Sequence, residues 1–134
     1  MTKLTTIEGI GENFAQTLRD AGIATTEALL DKGATTGGRA ALVEATGISK
    51  ALILKWVNRA DLFRIKGIGE EYADLLEAAG VDTVPELAQR NPENLQAKLV
   101  EVNDEKKLVR RLPPLKSIET WVAQAKGLPR KITY

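Results

Sequence analysis

Apolar side chains recur at three- and four-residue intervals along most of this chain, a spacing that predicts helices rather than strands. Phe14, Leu18 and Ala21 share one face of a segment that closes at Gly22-Ile23, a glycine stop with a hydrophobic residue beyond it. Gly80-Val81 has the same form. Thr83-Val84-Pro85-Glu86 combines a threonine N-cap, a first-turn proline and a capping-box glutamate, and Asn91-Pro92 opens a further helix. Ser49 is placed to cap a helix bearing Leu52, Ile53, Trp56, Val57 and Ala60 on one side. Ser117 is expected to do the same for Ile118, Trp121, Val122 and Ala125. No stretch alternates long enough, or is rich enough in β-branched residues, to suggest a sheet.

The pattern is also internally repeated. Residues 7–30 align with residues 65–88 at a constant offset of 58, with 11 identities in 24 positions. Ile7, Gly9, Ile10, Gly11, Glu12, Ala15, Leu18, Ala21, Gly22, Thr25 and Leu29 recur as Ile65, Gly67, Ile68, Gly69, Glu70, Ala73, Leu76, Ala79, Gly80, Thr83 and Leu87. Leu42-Val43-Glu44 matches Leu99-Val100-Glu101 at an offset of 57, and Trp56-Val57 matches Trp121-Val122 at 65. The growth of the offset places an insertion near 105–116, where Pro113-Pro114 must interrupt a helix. The expected organisation is all-α with an internal duplication: a first domain over 1–62 and a second over 63–134.

Composition narrows the chemistry. The 134 residues include no cysteine and no histidine, which excludes disulfides, thiolate nucleophiles, Cys/His zinc sites and a histidine base. No constellation of carboxylates or lysines stands out in their place, so no enzyme is expected and no metal or catalytic residue is assigned. No apolar run approaches membrane-spanning length and the amino terminus lacks a signal-peptide layout, so a cytoplasmic location is the expectation. Net charge is only +1, yet it is unevenly spread. Residues 64–105 carry four basic and ten acidic side chains, residues 106–134 eight basic and one acidic. A basic end of this kind suits a polyanion, or pairs with the acidic stretch before it.

Ile7-Glu8-Gly9-Ile10-Gly11-Glu12 and Ile65-Lys66-Gly67-Ile68-Gly69-Glu70 each resemble the helix-hairpin-helix motif. Two glycines make a tight turn, the isoleucine between them plugs the interhelix core, and the following helix presents unpaired N–H groups. Ala45-Thr46-Gly47-Ile48-Ser49-Lys50 resembles the second hairpin of the paired domain in recombinase amino-terminal regions and sliding-junction proteins. Val102-Asn103-Asp104-Glu105-Lys106-Lys107 lacks the glycine and is a degenerate copy of it. Over its full length the chain resembles an uncharacterised bacterial family of tandem helix-hairpin-helix repeats. The resemblance implies two tandem helical bundles of SAM-like or recombinase amino-terminal type that hold the DNA or RNA backbone without reading bases. It also implies a monovalent cation held by hairpin carbonyls, with no other cofactor.

The expected function is therefore a non-catalytic, sequence-independent nucleic-acid-binding module, DNA more than RNA. Candidate contacts at the first turn are Gly9, Ile10 and Gly11. Lys66, Gly67 and Gly69 are their counterparts at the second, where Glu70, Glu71, Asp74 and Glu77 work against phosphate. After Gly47, Ile48 and Ser49 no acid follows before Asp61, and Lys50, Lys55 and Arg59 add positive charge. Lys106, Lys107, Arg110 and Arg111 are expected along one side of a helix, either tracking phosphates or forming a solvated or salt-bridged face that pairs with Glu101, Asp104 and Glu105. Trp56 and Trp121 are expected to be core anchors. The competing function is a protein-interaction or scaffolding module, self-association included, in which the hairpins are structural and the acidic run meets a basic partner.

Overall fold

The computed structural model describes residues 2–134; Met1 lies outside them. Among the described residues the fold is all-helical, with a 3-10 turn at Leu4–Thr6, eight α-helices and no strand. In order they are α1 (Glu12–Asp20), α2 (Thr26–Gly33), α3 (Thr36–Thr46), α4 (Lys50–Leu62), α5 (Glu70–Ala78), α6 (Val84–Ala88), α7 (Pro92–Lys106) and α8 (Leu115–Gly127). None is long and apolar enough to cross a membrane.

Local chemistry accounts for most of the boundaries. The N–H of Gly22 bonds to the Arg19 carbonyl and that of Ile23 to Leu18, closing α1; Gly80 and Val81 close α5 through Glu77 and Leu76. Thr25, Thr35 and Asn91 each accept a backbone N–H three residues on, starting α2, α3 and α7. Ser117 departs from expectation. Pro114 occupies the N-cap of α8, whose first residue is Leu115, because proline pre-sets its own dihedral and the helix begins directly after it. Thr83 does sit at the N-cap of α6, but its side chain makes no capping bond.

The side chain that should complete that capping box has another partner. The Glu86 carboxyl is pushed up to about 7 by partial burial and by its hydrogen bond to, and repulsion from, Asp82. A carboxyl that binds its proton more tightly when folded stabilises below the ordinary value of 4.5, and that contribution fades as pH rises through 7. Glu86→Gln is therefore expected to leave stability unchanged near pH 4. At pH 8 it should raise stability by about 1 kcal/mol, after allowing for solvent screening. Urea unfolding at the two pH values checks it.

Contacts divide the chain into two compact units. One is Leu62–Arg130; the other runs up to Asp61 and takes in Lys131–Tyr134. The first unit packs Leu4, Ile7, Ile10, Leu18, Ile23 and Leu29 with Ile53, Trp56 and Val57 of α4 as its buried core. In the second, α5, α6 and α7 bury Leu75, Leu76, Leu87, Leu95 and Leu99 with Ile118, Trp121 and Val122 of α8.

The last four residues depart from the sequence boundary, which leaves them in the second segment. Ile132 is buried, the Thr133 N–H bonds to the Ala34 carbonyl at 2.8 Å, and Lys131 pairs with Asp31 at 2.6 Å. Arg39, only 5% exposed, fastens them: its guanidinium donates to the carbonyls of Gly33 (2.7 Å) and Thr133 (2.6 Å) and lies over the Tyr134 ring.

Candidate nucleic-acid interface

Both Gly-Ile-Gly segments form turns of the same construction. Ile7 and Ile10 are buried, the Ile10 N–H bonds to the Ile7 carbonyl at 3.1 Å, and Gly9 between them is exposed at φ +94°. Ile65, Ile68 and Gly67 repeat this, with a 3.2 Å bond and φ +96°. Gly11 and Gly69 are the N-caps of α1 and α5, and neither helix has a side-chain cap for its first-turn N–H groups.

Beneath each turn lies an indole. A Cβ added to Gly9 would stand 3.3 Å from Trp56 Nε1, and one added to Gly67 would stand 2.9 Å from Trp121 Nε1. Phe14 packs edge-on to Trp56 at 5.1 Å, and Tyr72 tilts against Trp121 at 5.3 Å. The tryptophans are buried, as expected of core anchors. Alanine at either glycine meets both a left-handed backbone and an indole. We expect Gly67→Ala to cost about 3 kcal/mol and Gly9→Ala about 2 kcal/mol, the order following the tighter approach. Denaturant midpoints of the two variants test that ranking.

Acidic neighbours are unequal at the two turns. Glu12 forms a surface ion pair with Arg19, so the first turn does not present a bare carboxylate. At the second, Glu70 and Glu71 are exposed at the start of α5. Lys66 is exposed beside them, and its backbone is clamped by Gln124, which accepts its N–H at 3.1 Å and donates to its carbonyl at 3.3 Å.

For the implied cation, backbone carbonyls of the two turns are the candidate ligands, those of Ile7 and Ile65 among them. Each of these two already accepts one N–H and keeps a second lone pair, so water or phosphate oxygens would have to complete the shell.

At the third turn Gly47 caps α3 at φ +72° and Ile48 is buried. Ser49 Oγ accepts the Leu52 N–H at 3.2 Å, so the start of α4 is partly satisfied by its own serine. Lys50 and Lys55 are exposed, yet five residues separate them by about 140° around the helix, so they do not converge. Arg59 corrects the sequence reading. It is 3% exposed and engaged within the fold, because its position falls on the buried side of α4 with Trp56 and Ala60.

The basic run is also corrected. Helix α7 ends at Lys106, Lys107 adopts a left-handed conformation at φ +52°, and Arg110 and Arg111 lie beyond the helix. The cause is Asn103, whose side-chain amide brackets Val109, accepting its N–H at 2.9 Å and donating to its carbonyl at 3.1 Å. Val109 is thereby drawn into the core.

All four cations remain exposed, and among the described residues none of their side chains has a hydrogen-bond or ion-pair partner. The expected pairing with Glu101, Asp104 and Glu105 is not found there; Glu101 pairs with Lys98 at 3.7 Å instead. Tyr72 Oη donates to the Arg111 carbonyl at 3.3 Å, tying the basic loop to the first turn of α5, next to Gly69. The second unit thus brings Lys66, Gly67 and Gly69 together with this loop; the first holds Gly9, Ile10, Gly11, Gly47, Ile48, Ser49, Lys50 and Lys55. Among the described residues no three carboxylates gather as a metal site would require.

Over residues 8–128 the chain matches the model of a family described as Domain of unknown function (DUF4332). No solved structure matches it.

Proposed function

The chain belongs to the DUF4332 family, and we propose that it is a non-catalytic module holding the phosphate backbone of nucleic acid, DNA before RNA, without reading sequence. In this reading the two segments are tandem helix-hairpin-helix domains descended from an internal duplication, and the protein works in the cytoplasm. What most supports it is the loop bearing Lys106, Lys107, Arg110 and Arg111: four exposed cations with no intramolecular partner among the described residues. A loop held by Asn103 and Tyr72 presents these charges with little backbone freedom left to lose. The uncapped N–H groups after Gly11 and Gly69 add neutral donors for phosphate oxygens. A monovalent cation at either turn would be held by hairpin carbonyls and would add positive charge there for phosphate.

The test is fluorescence anisotropy with a short labelled duplex and a labelled single strand. About four phosphate contacts predict a log–log salt slope near −3.6, and so roughly a hundredfold weaker binding at 200 mM than at 50 mM salt. Salt-insensitive binding, or none at low salt, contradicts the reading.

The second reading is a protein-interaction module, favoured by Glu70 and Glu71, which stand exposed at the start of α5. It requires a basic partner or self-association. A strictly monomeric chain by light scattering, with no partner retained at low salt, removes it.

A further inference from the structure

A cavity of about 410 Å³ opens in the first unit between α3, α4 and the docked carboxyl-terminal residues. That size lies within the range of small-molecule sites. Its walls are apolar: Ala40 and Val43 from α3, Leu54 from α4, and the ring of Tyr134. Thr36 and two cations complete the lining. Arg39 is immobilised by its bonds to Gly33, Thr36 and Thr133, so its positive field is in place before any ligand arrives. Lys50 is exposed and has no ion pair among the described residues.

We propose that this cavity binds an amphipathic carboxylate, an aliphatic or aromatic body of about ten heavy atoms with one anionic head. The body would lie against Val43, Leu54 and the Tyr134 ring, and the head would meet Lys50 within the field of Arg39. Apolar walls favour a hydrocarbon, which loses only water on entry. A nucleobase would bury hydrogen-bonding edges with few partners, since the Tyr134 hydroxyl is already committed to Asn58 Oδ1 at 3.0 Å. A neutral hydrocarbon would leave the two cations unused. The assignment is independent of the nucleic-acid reading, although Lys50 serves in both.

The experiment is an amide NMR titration of the whole chain with octanoate, 1-octanol and uridine 5′-monophosphate at constant ionic strength. Octanoate is expected to saturate shifts at Ala40, Val43 and Leu54 with a Kd of about 1 mM, and octanol to bind about fivefold more weakly. Lys50→Glu should weaken octanoate about tenfold and leave octanol unchanged. Ala40→Trp should abolish both without lowering Tm, because position 40 is solvent-exposed. Three results overturn the assignment: no saturation by octanoate, equal affinity for octanol and octanoate, or tighter saturation of the same amides by the nucleotide.

Discussion

Replacing Gly38 by alanine is expected to unfold the first unit at markedly lower denaturant, a loss of about 3 kcal/mol or more. Gly38 lies in the first turn of α3, and its N–H bonds to Thr35 Oγ1 at 3.0 Å. A Cβ there would stand 2.0 Å from the carbonyl oxygen of Lys32 in α2 and 3.1 Å from Thr35 Oγ1. The obstructing oxygen belongs to the backbone, so no rotamer relieves it and α2 or α3 must move. Helix propensity acts the other way, favouring alanine by about 1 kcal/mol, and the clash outweighs it. The adjacent position is an internal control. A Cβ at Gly37 meets nothing within 4 Å, so Gly37→Ala should hold or raise stability by up to about 1 kcal/mol. Urea titrations of both variants decide the matter. Equal stability would mean that α2 and α3 do not approach as described.

Changing Lys106, Lys107, Arg110 and Arg111 together to glutamate is expected to weaken duplex binding at least about a hundredfold and to flatten the salt slope toward zero. All four side chains are exposed. These side chains make no contacts that fold the protein among the described residues, so the quadruple variant should unfold like the parent. Lys50→Glu and Lys55→Glu, on different sides of α4, should each cost only about three- to fivefold. Anisotropy at 50 mM salt, with circular dichroism to confirm folding, separates the cases. Full affinity in the quadruple variant would exclude the loop as the phosphate contact.

Short-range chemistry made much of this molecule legible. Gly22 and Gly80 stop helices through bonds to residues three to five positions back, and Asn91 starts one through a bond three residues ahead. The burial of Trp56 and Trp121 follows from apolar neighbours at helical spacing. The rest depends on side chains that meet locally against the helical pattern or across long stretches of sequence. Asn103 breaks the helix that the 106–111 spacing suggests, because its amide competes with the next turn. Tyr72 reaches Arg111 over 39 residues, and Gln124 reaches Lys66 over 58. The one sequence hint of the first is position 72, where a tyrosine hydroxyl aligns with the plain ring of Phe14. At Arg59 an arginine following lysines suggests a charged face, whereas the helix turns it inward. Arg39 carries no sequence signal, because its partner, the Thr133 carbonyl, lies 94 residues away.

The docking of Lys131–Tyr134 onto the first unit has a consequence for how the protein is made. Synthesis delivers the first unit early, but its last contacts must wait until all of Leu62–Arg130 has been translated. At a typical elongation rate that interval is roughly 3 to 14 seconds, far longer than a small helical unit needs to fold. Throughout it, Arg39 has no Thr133 carbonyl to meet and the apolar surface that Ile132 later covers is open. A nascent chain stalled in that window exposes this surface to proteases and chaperones, and the arrival of Lys131–Tyr134 on the first unit ends that exposure.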